Sequence, residues 1–189
     1  MDYLLHCDRQ LFYLINSRWI NSVFDWLMPI ISNPWFWALP IFFIFLLLFT
    51  LGKKRGRLTI VLIILTVALA DSFSARVIKP SIKRLRPSRA LENVRVLGKR
   101  GGKYGFPSNH VANFTGGLAI LTFFYRRGWY LSLLIVLLVG YSRIYLGVHY
   151  PLDVLGGIFI GLGCAMLFLI GWLMLDNHLR KRGDSALSL

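Results

Sequence analysis

Long apolar stretches separated by short basic or polar connections run along most of the chain. Residues 58–79, 109–125, 129–147 and 154–175 are predominantly apolar and about 20 residues long, which suits helices that cross a bilayer. Residues 35–51 are shorter and uncharged, with Trp35 and Trp37 placed for a membrane interface. The stretch 9–31 is also apolar but is broken by Asn16, Arg18, Asn21 and Asp25. That pattern predicts an amphipathic helix lying at the interface, with a sixth span as the alternative. The expected fold is an all-α membrane protein, a bundle of five transmembrane helices (six if 9–31 crosses) with an N-terminal amphipathic interfacial helix. No internal repeat or linker divides the chain, so residues 1–189 are expected to form a single membrane-embedded domain.

Composition agrees with this reading: 56% of residues are hydrophobic and a water-soluble class is disfavoured. The net charge of +14 is large for so few charged residues. Cytoplasmic anchoring, attraction to anionic headgroups and an anionic substrate would each account for it. Its distribution separates these. Lys53-Lys54-Arg55-Gly56-Arg57, Arg126-Arg127 and Arg180-Lys181-Arg182 fall on one side, which the positive-inside rule makes cytoplasmic. The loop 79–108 on the other side is also basic, with Lys79, Lys83, Arg84, Arg86, Arg89, Arg95, Lys99, Arg100 and Lys103 against Glu92. Charge on the wrong side of the rule is expected to serve function. Two helices separate this loop from the turn 148–153, so both emerge at one membrane face. Cys7 and Cys164 give no disulfide framework. Met1-Asp2-Tyr3 lacks a basic n-region, so the first span is expected to act as the targeting signal.

Three motifs lie at that face. In Lys79-(x6)-Arg86-Pro87, Pro80 should end the preceding span at Lys79, leaving both cations just outside the bilayer. Taken alone, they could simply snorkel to headgroups. In Pro107-Ser108-Asn109-His110, Ser108 is placed to cap a helix whose free N–H groups can receive a phosphate. His110, one turn into a membrane helix, needs a polar partner. In Ser142-Arg143-(x5)-His149-(x3)-Asp153, Arg143 closes an apolar helix and calls for an anion. Pro151 suits the first helical position, which puts Asp153 in the first turn, within reach of His149. A structural His–Asp pair is the plainer alternative. Together the motifs supply cations for a phosphate, an oriented nucleophile and a general acid. No acidic cluster suits magnesium and no Cys/His spacing suits zinc.

These motifs resemble the three signatures of the type 2 phosphatidic acid phosphatases (PAP2), integral membrane lipid phosphatases related to vanadium haloperoxidases and glucose-6-phosphatase. The resemblance covers residues 79–153, with compatible helix spacing over 35–175. It implies that His149 forms a phosphohistidine supported by Asp153 and that His110 protonates the leaving group. It further implies that Lys79, Arg86, Ser108, Asn109 and Arg143 surround the phosphate, with no cofactor and no metal. The family usually has glycine where this chain has Asn109, whose amide can add a hydrogen bond. The implied activity is hydrolysis of the terminal phosphate of an envelope lipid: undecaprenyl pyrophosphate, lipid A 1-phosphate, phosphatidylglycerol phosphate or phosphatidic acid. Membrane lipids are the expected partners, nucleic acid is not, and the oligomeric state stays open. The expected place is a bacterial-type inner membrane with the site on the periplasmic or extracellular face. The alternatives are a phosphatase of soluble esters, or a non-catalytic membrane protein that binds or moves phospholipid without needing both histidines.

Outside the motifs, Asp71 lies well inside a span and is expected to pair with a basic or hydroxyl group on a neighbouring helix. Gly157, Gly161 and Ala165, like Ala112 and Gly116, recur every four residues and predict close helix packing, chiefly within the monomer. Tyr141 and Tyr145 share a helix face and either line the site or pack.

Overall fold

The computed structural model describes residues 2–181, which form helices joined by short turns and one long loop. In chain order these are α1 (Asp2–Tyr13, continued by a π turn, Leu14–Arg18), α2 (Ser22–Ser32), α3 (Pro34–Thr50) and α4 (Lys53–Phe73). A second π turn, Ser74–Ile78, leads into α5 (Lys79–Ile82), followed by α6 (Pro87–Ala90), α7 (Asn109–Phe124), α8 (Trp129–Tyr145) and α9 (Pro151–Lys181). Among the described residues the only β pairing is a lone bridge between Leu85 and Tyr104.

Three of these are long and apolar enough to cross a bilayer: the continuous run Lys53–Ile82, Arg126–Tyr145 and Pro151–Lys181. A fourth is added if α2 and α3, bent by 57°, count as one broken span. The sequence pattern predicts five. The shortfall comes from α7, whose 16 residues reach only about 24 Å against a hydrocarbon core of about 30 Å, and from the separation of α3 at its bend.

The stretch 9–31 is not one helix. It breaks at Trp19 to Asn21, where Asn21 is extended and its side chain accepts the Phe24 N–H at 2.8 Å as the N-cap of α2. Two of its four polar residues, Asn16 and Asp25, bond inward, while Arg18 and Asn21 are exposed. Asn16 is fully buried and donates to the carbonyls of Arg95 and Tyr145, at 2.8 Å each. Asp25 pairs with Arg95 and accepts the Tyr145 hydroxyl, both at 2.5 Å. The helix also does not stop at Lys79 as expected. Pro80 sits in the first turn of α5, directly after the π turn, and the chain leaves the helix only at Lys83, in the left-handed region. A widened π turn gives the proline ring room where a regular α turn would clash.

The shortest long helix is the central one: α7 packs against α4, α8 and α9. Small residues make this possible. A Cβ at Gly161 would lie 2.4 Å from the Ala112 carbonyl oxygen, and one at Gly116 would lie 2.9 Å from Thr66 Cγ2. The small-residue spacing thus serves packing inside the monomer, as expected. Outward-facing residues such as Phe42, Leu137 and Phe159 are exposed, which suits a surface solvated by lipid chains. At one end of the bundle the long loop folds back over the helix ends. Gly105 N–H donates to the Arg84 carbonyl at 2.8 Å, Arg86 N–H donates to that of Lys103, and Asn16 accepts the Arg95 N–H.

Candidate active site

The three motifs, whose extremes Lys79 and Asp153 are 74 positions apart, meet at that end. Lys79, Arg86, Asn109, His110, Arg143 and His149 line one cavity of about 480 Å³. Lys79 is held at its rim by Nζ–H donation to the Pro107 carbonyl at 2.6 Å and that of Gly105 at 3.3 Å. Arg143, near the end of α8, donates to the hydroxyl of Ser32 and leaves its Nε unpartnered.

His149 is buried in the turn between α8 and α9. Its Nε2 lies 2.8 Å from Arg86 Nη1, which also donates to the Val148 carbonyl at 3.0 Å. A guanidinium can only donate, so Nε2 must accept and the ring proton sits on Nδ1. The nucleophilic lone pair is therefore the one that Arg86 holds. Burial first, and then the cation of Arg86, push the ring's pKa well below the ordinary 6.5 and keep it neutral. Burial also lowers the pKa of Arg86.

Asp153 lies in the first turn of α9, with Pro151 opening the helix as the sequence predicts. Its Oδ2 is 3.4 Å from His149 Nδ1, and Nδ1 makes no hydrogen bond. Arg86 thus fixes the tautomer from the other nitrogen. Asp153 is itself held on all sides. Oδ2 accepts the Tyr150 N–H at 3.1 Å and Oδ1 accepts from Arg84 at 2.8 Å. Gly105 backs this carboxylate so closely that a Cβ there would lie 2.7 Å from Oδ2.

Two residues that the sequence did not single out complete this wall. Arg84 reaches from Asp153 to Asp8 of α1, and its guanidinium lies 4.2 Å from the centre of the Tyr150 ring. Asp8, almost wholly buried, also accepts the Leu152 N–H at 2.8 Å. Arg84 stood in the basic loop among eight other cations, and Asp8 carried no motif.

The start of α7 is arranged otherwise. Ser108 takes the N-cap position but makes no capping bond. Its hydroxyl is buried and unpartnered, and its N–H donates to the Asp153 carbonyl at 2.9 Å. His110 lines the cavity with no hydrogen-bond partner among the described residues. Asn109 turns its amide to Asp71, with Nδ2–H···Oδ1 at 2.9 Å, and Asn113 donates to the same oxygen at 3.2 Å. Asp71 is therefore paired with amides, not with the basic or hydroxyl group expected. Tyr145 is buried against Phe24 and Asp25, so its role is packing. Among the described residues no three His, Cys, Asp or Glu side chains converge as metal ligands.

Fold and site together define a multi-pass membrane protein with a cation-lined cavity that holds two histidines. The family model described as the PAP2 superfamily matches residues 59–176, and the chain belongs to that superfamily. It is 34% identical over 169 residues to the lipid A 4'-phosphatase of Porphyromonas gingivalis, covering 86% of this chain and 71% of that one. It is 30% identical to the undecaprenyl-diphosphatase of Sulfolobus acidocaldarius, over 80% of this chain and 72% of that one. In fold it matches the crystal structure of the first transmembrane PAP2 type phosphatidylglycerolphosphate phosphatase from Bacillus subtilis. The TM-score there is 0.68 at 23% identity, over 88% of this chain and 85% of that one.

Proposed function

We propose that this protein removes the terminal phosphate of a phosphorylated or pyrophosphorylated envelope lipid through a phosphohistidine at His149, without a metal. The observation that carries the reading is the His149 Nε2 lone pair, kept unprotonated by Arg86 in a cavity that Lys79, Arg143 and His110 also line. The superfamily, and relatives named for lipid A and undecaprenyl diphosphate, support a lipid as the substrate class.

Lys79, Arg86 and Arg143 gather the phosphate oxygens, and Arg86 passes from His149 to the phosphate as it arrives. Nε2 attacks phosphorus, forming a P–N bond while the P–O bond to the leaving group breaks. His110 gives its proton to the departing oxygen. Asp153 faces Nδ1–H and offsets the charge that grows on the ring. Water then attacks the phosphohistidine, His110 takes its proton, the P–N bond breaks and inorganic phosphate leaves. Asn109 lines the cavity beside these groups, and Ser108 ties the start of α7 to Asp153.

In the membrane, α3, α4, α7, α8 and α9 cross and α1 lies along the interface. The bilayer is a bacterial-type inner membrane, with the site on its periplasmic or extracellular face. Parity puts the two active-site connections at one face, and the basic clusters 53–57, 126–127 and 180–182 at the opposite side support a cytoplasmic placement for that side. The test is phosphate release from undecaprenyl pyrophosphate, lipid A 1-phosphate, phosphatidylglycerol phosphate and phosphatidic acid in detergent containing EDTA. Release that continues in EDTA is the expected outcome. Release lost in EDTA and restored by magnesium would overturn the assignment.

A further inference from the structure

One face of α7 passes from chemistry to hydrocarbon. Asn109 and His110, then Asn113 and Phe114, then Gly117 and Leu118, then Leu121 follow one another at helical spacing. The first four line the catalytic cavity. From Asn113 onward the same face lines a second cavity of about 480 Å³, walled by Ile44 and Phe45 of α3 and Ile63 and Val67 of α4. Asn113 and Phe114 line both cavities, so the two adjoin at this turn of α7. The distance from Asn109 to Leu121 is 12 residues, about 18 Å along the helix.

Asp71 stands at the junction. A carboxylate repels a phosphate, so its presence on the wall of a phosphate cavity calls for another partner. Asn109 and Asn113 both donate to its Oδ1, while Oδ2 has no partner among the described residues. Because a carboxylate here only accepts, both amides must turn their NH2 groups to it, and both asparagine carbonyl oxygens remain buried and unpartnered. The cluster is short of hydrogen-bond donors. A fully ionised phosphate, an ester or an isoprenoid chain supplies none, whereas a hydroxyl or amide N–H does.

We propose that the substrate lies along this face of α7, its hydrocarbon chain in the groove between α3, α4 and α7, and that Asp71 receives a headgroup hydroxyl or amide N–H located between phosphate and chain. This rests on the phosphatase reading above and names its substrate class: a lipid whose phosphate is carried by a hydroxyl- or amide-bearing group such as an acylated amino sugar. Asp71 is the specificity determinant, and Gly117 lines the groove where an added Cβ would stand 3.5 Å from the methyl groups of Ile63 and Val67 and a larger side chain would take up chain space.

The test uses the full-length protein in detergent with two lipids of matched acyl chains, a monophosphorylated N,O-acylated glucosamine and phosphatidic acid. Wild type should favour the glycolipid in kcat/KM by roughly tenfold or more, since a hydrogen bond to a charged group is worth about ten- to a hundredfold. Asp71→Ala should reduce that ratio by a similar factor, and Asp71→Asn, which keeps one acceptor, should reduce it less. Gly117→Leu should lower the ratio of long-chain to dihexanoyl substrate with one headgroup. It decides the matter independently if Asp71→Ala does not fold. No headgroup preference in wild type, a ratio unmoved by Asp71→Ala, or a chain-length ratio unmoved by Gly117→Leu would each overturn the inference while leaving the phosphatase reading intact. No release from either lipid would overturn both.

Discussion

His149 and His110 line one cavity but are held in different ways. His149 is buried in a tight turn, gripped at Nε2 by Arg86 and faced at Nδ1 by Asp153, which is fixed in turn by Arg84, Asp8 and the Tyr150 N–H. His110 has no partner in the chain among the described residues and opens on the cavity. A nucleophile has to be aimed before substrate arrives, so its orientation is built into the protein. A general acid works on an atom that only the substrate brings, so its partner is left to the substrate. The contrast supports the roles proposed for the two histidines without appeal to sequence order.

Breaking the rigid wall should cost most. Asp153→Asn removes the charge opposite Nδ1 and offers an amide that can reverse the tautomer, so kcat should fall on the order of 10³–10⁴-fold. Normal turnover in this variant would show that Arg86 alone orients the ring. On the open side, His110→Ala should slow phosphoenzyme formation by roughly 10²–10⁴-fold for a lipid alkoxide. With an aryl phosphate, whose leaving group needs no proton, the loss should shrink. An equal loss on both would reduce His110 to a phosphate ligand.

Smaller effects sharpen the comparison. Arg84→Ala leaves Asp8 and Asp153 without their shared cation and should lower kcat by about 10–100-fold, within the loss that a small misplacement at a reacting centre can cause. Arg84→Lys, which can reach only one carboxylate well, should recover part of it, and KM should change little in either. A pure KM effect would make Arg84 a substrate contact. In the pH dependence of kcat/KM, the acid limb reports protonation of His149. Burial and Arg86 lower that pKa, so the limb should lie below the ordinary histidine value of 6.5. Arg86→Gln removes the neighbouring cation, which favours the protonated ring, so the limb of its residual activity should move up in pH. A downward shift would contradict the geometry at Nε2.

Much of this was legible in the sequence because the chemistry is written locally. Histidine and aspartate four residues apart around Pro151, and arginine beside Pro87, fix residue types at short range, and helix parity brings the segments to one face. What the sequence concealed depends on contacts distant along the chain. Arg84 meets Asp153 across 69 positions and Asp8 across 76, and no spacing rule links them. The polar residues of 9–31 looked like one helix face because period alone cannot reveal that Asn21 caps a new helix or that Asn16 is buried against the loop. Pro80 misled for a local reason, since the π turn before it carries no sequence signal known to the pattern. Asn109, a departure from the family's usual glycine, could be read as a change, but its partner Asp71 became visible only in three dimensions.

The central claim is that His149 carries the phosphoryl group. It is tested most directly by rapid quenching of the full-length enzyme with ³²P-labelled lipid in EDTA, followed by peptide mapping of the labelled residue. Label should appear as an acid-labile, base-stable phosphoramidate on His149 within one turnover and be absent from His149→Ala, whose turnover should drop by a factor on the order of 10⁴ or more. Label on another residue, or turnover by His149→Ala at the wild-type rate, would contradict the account.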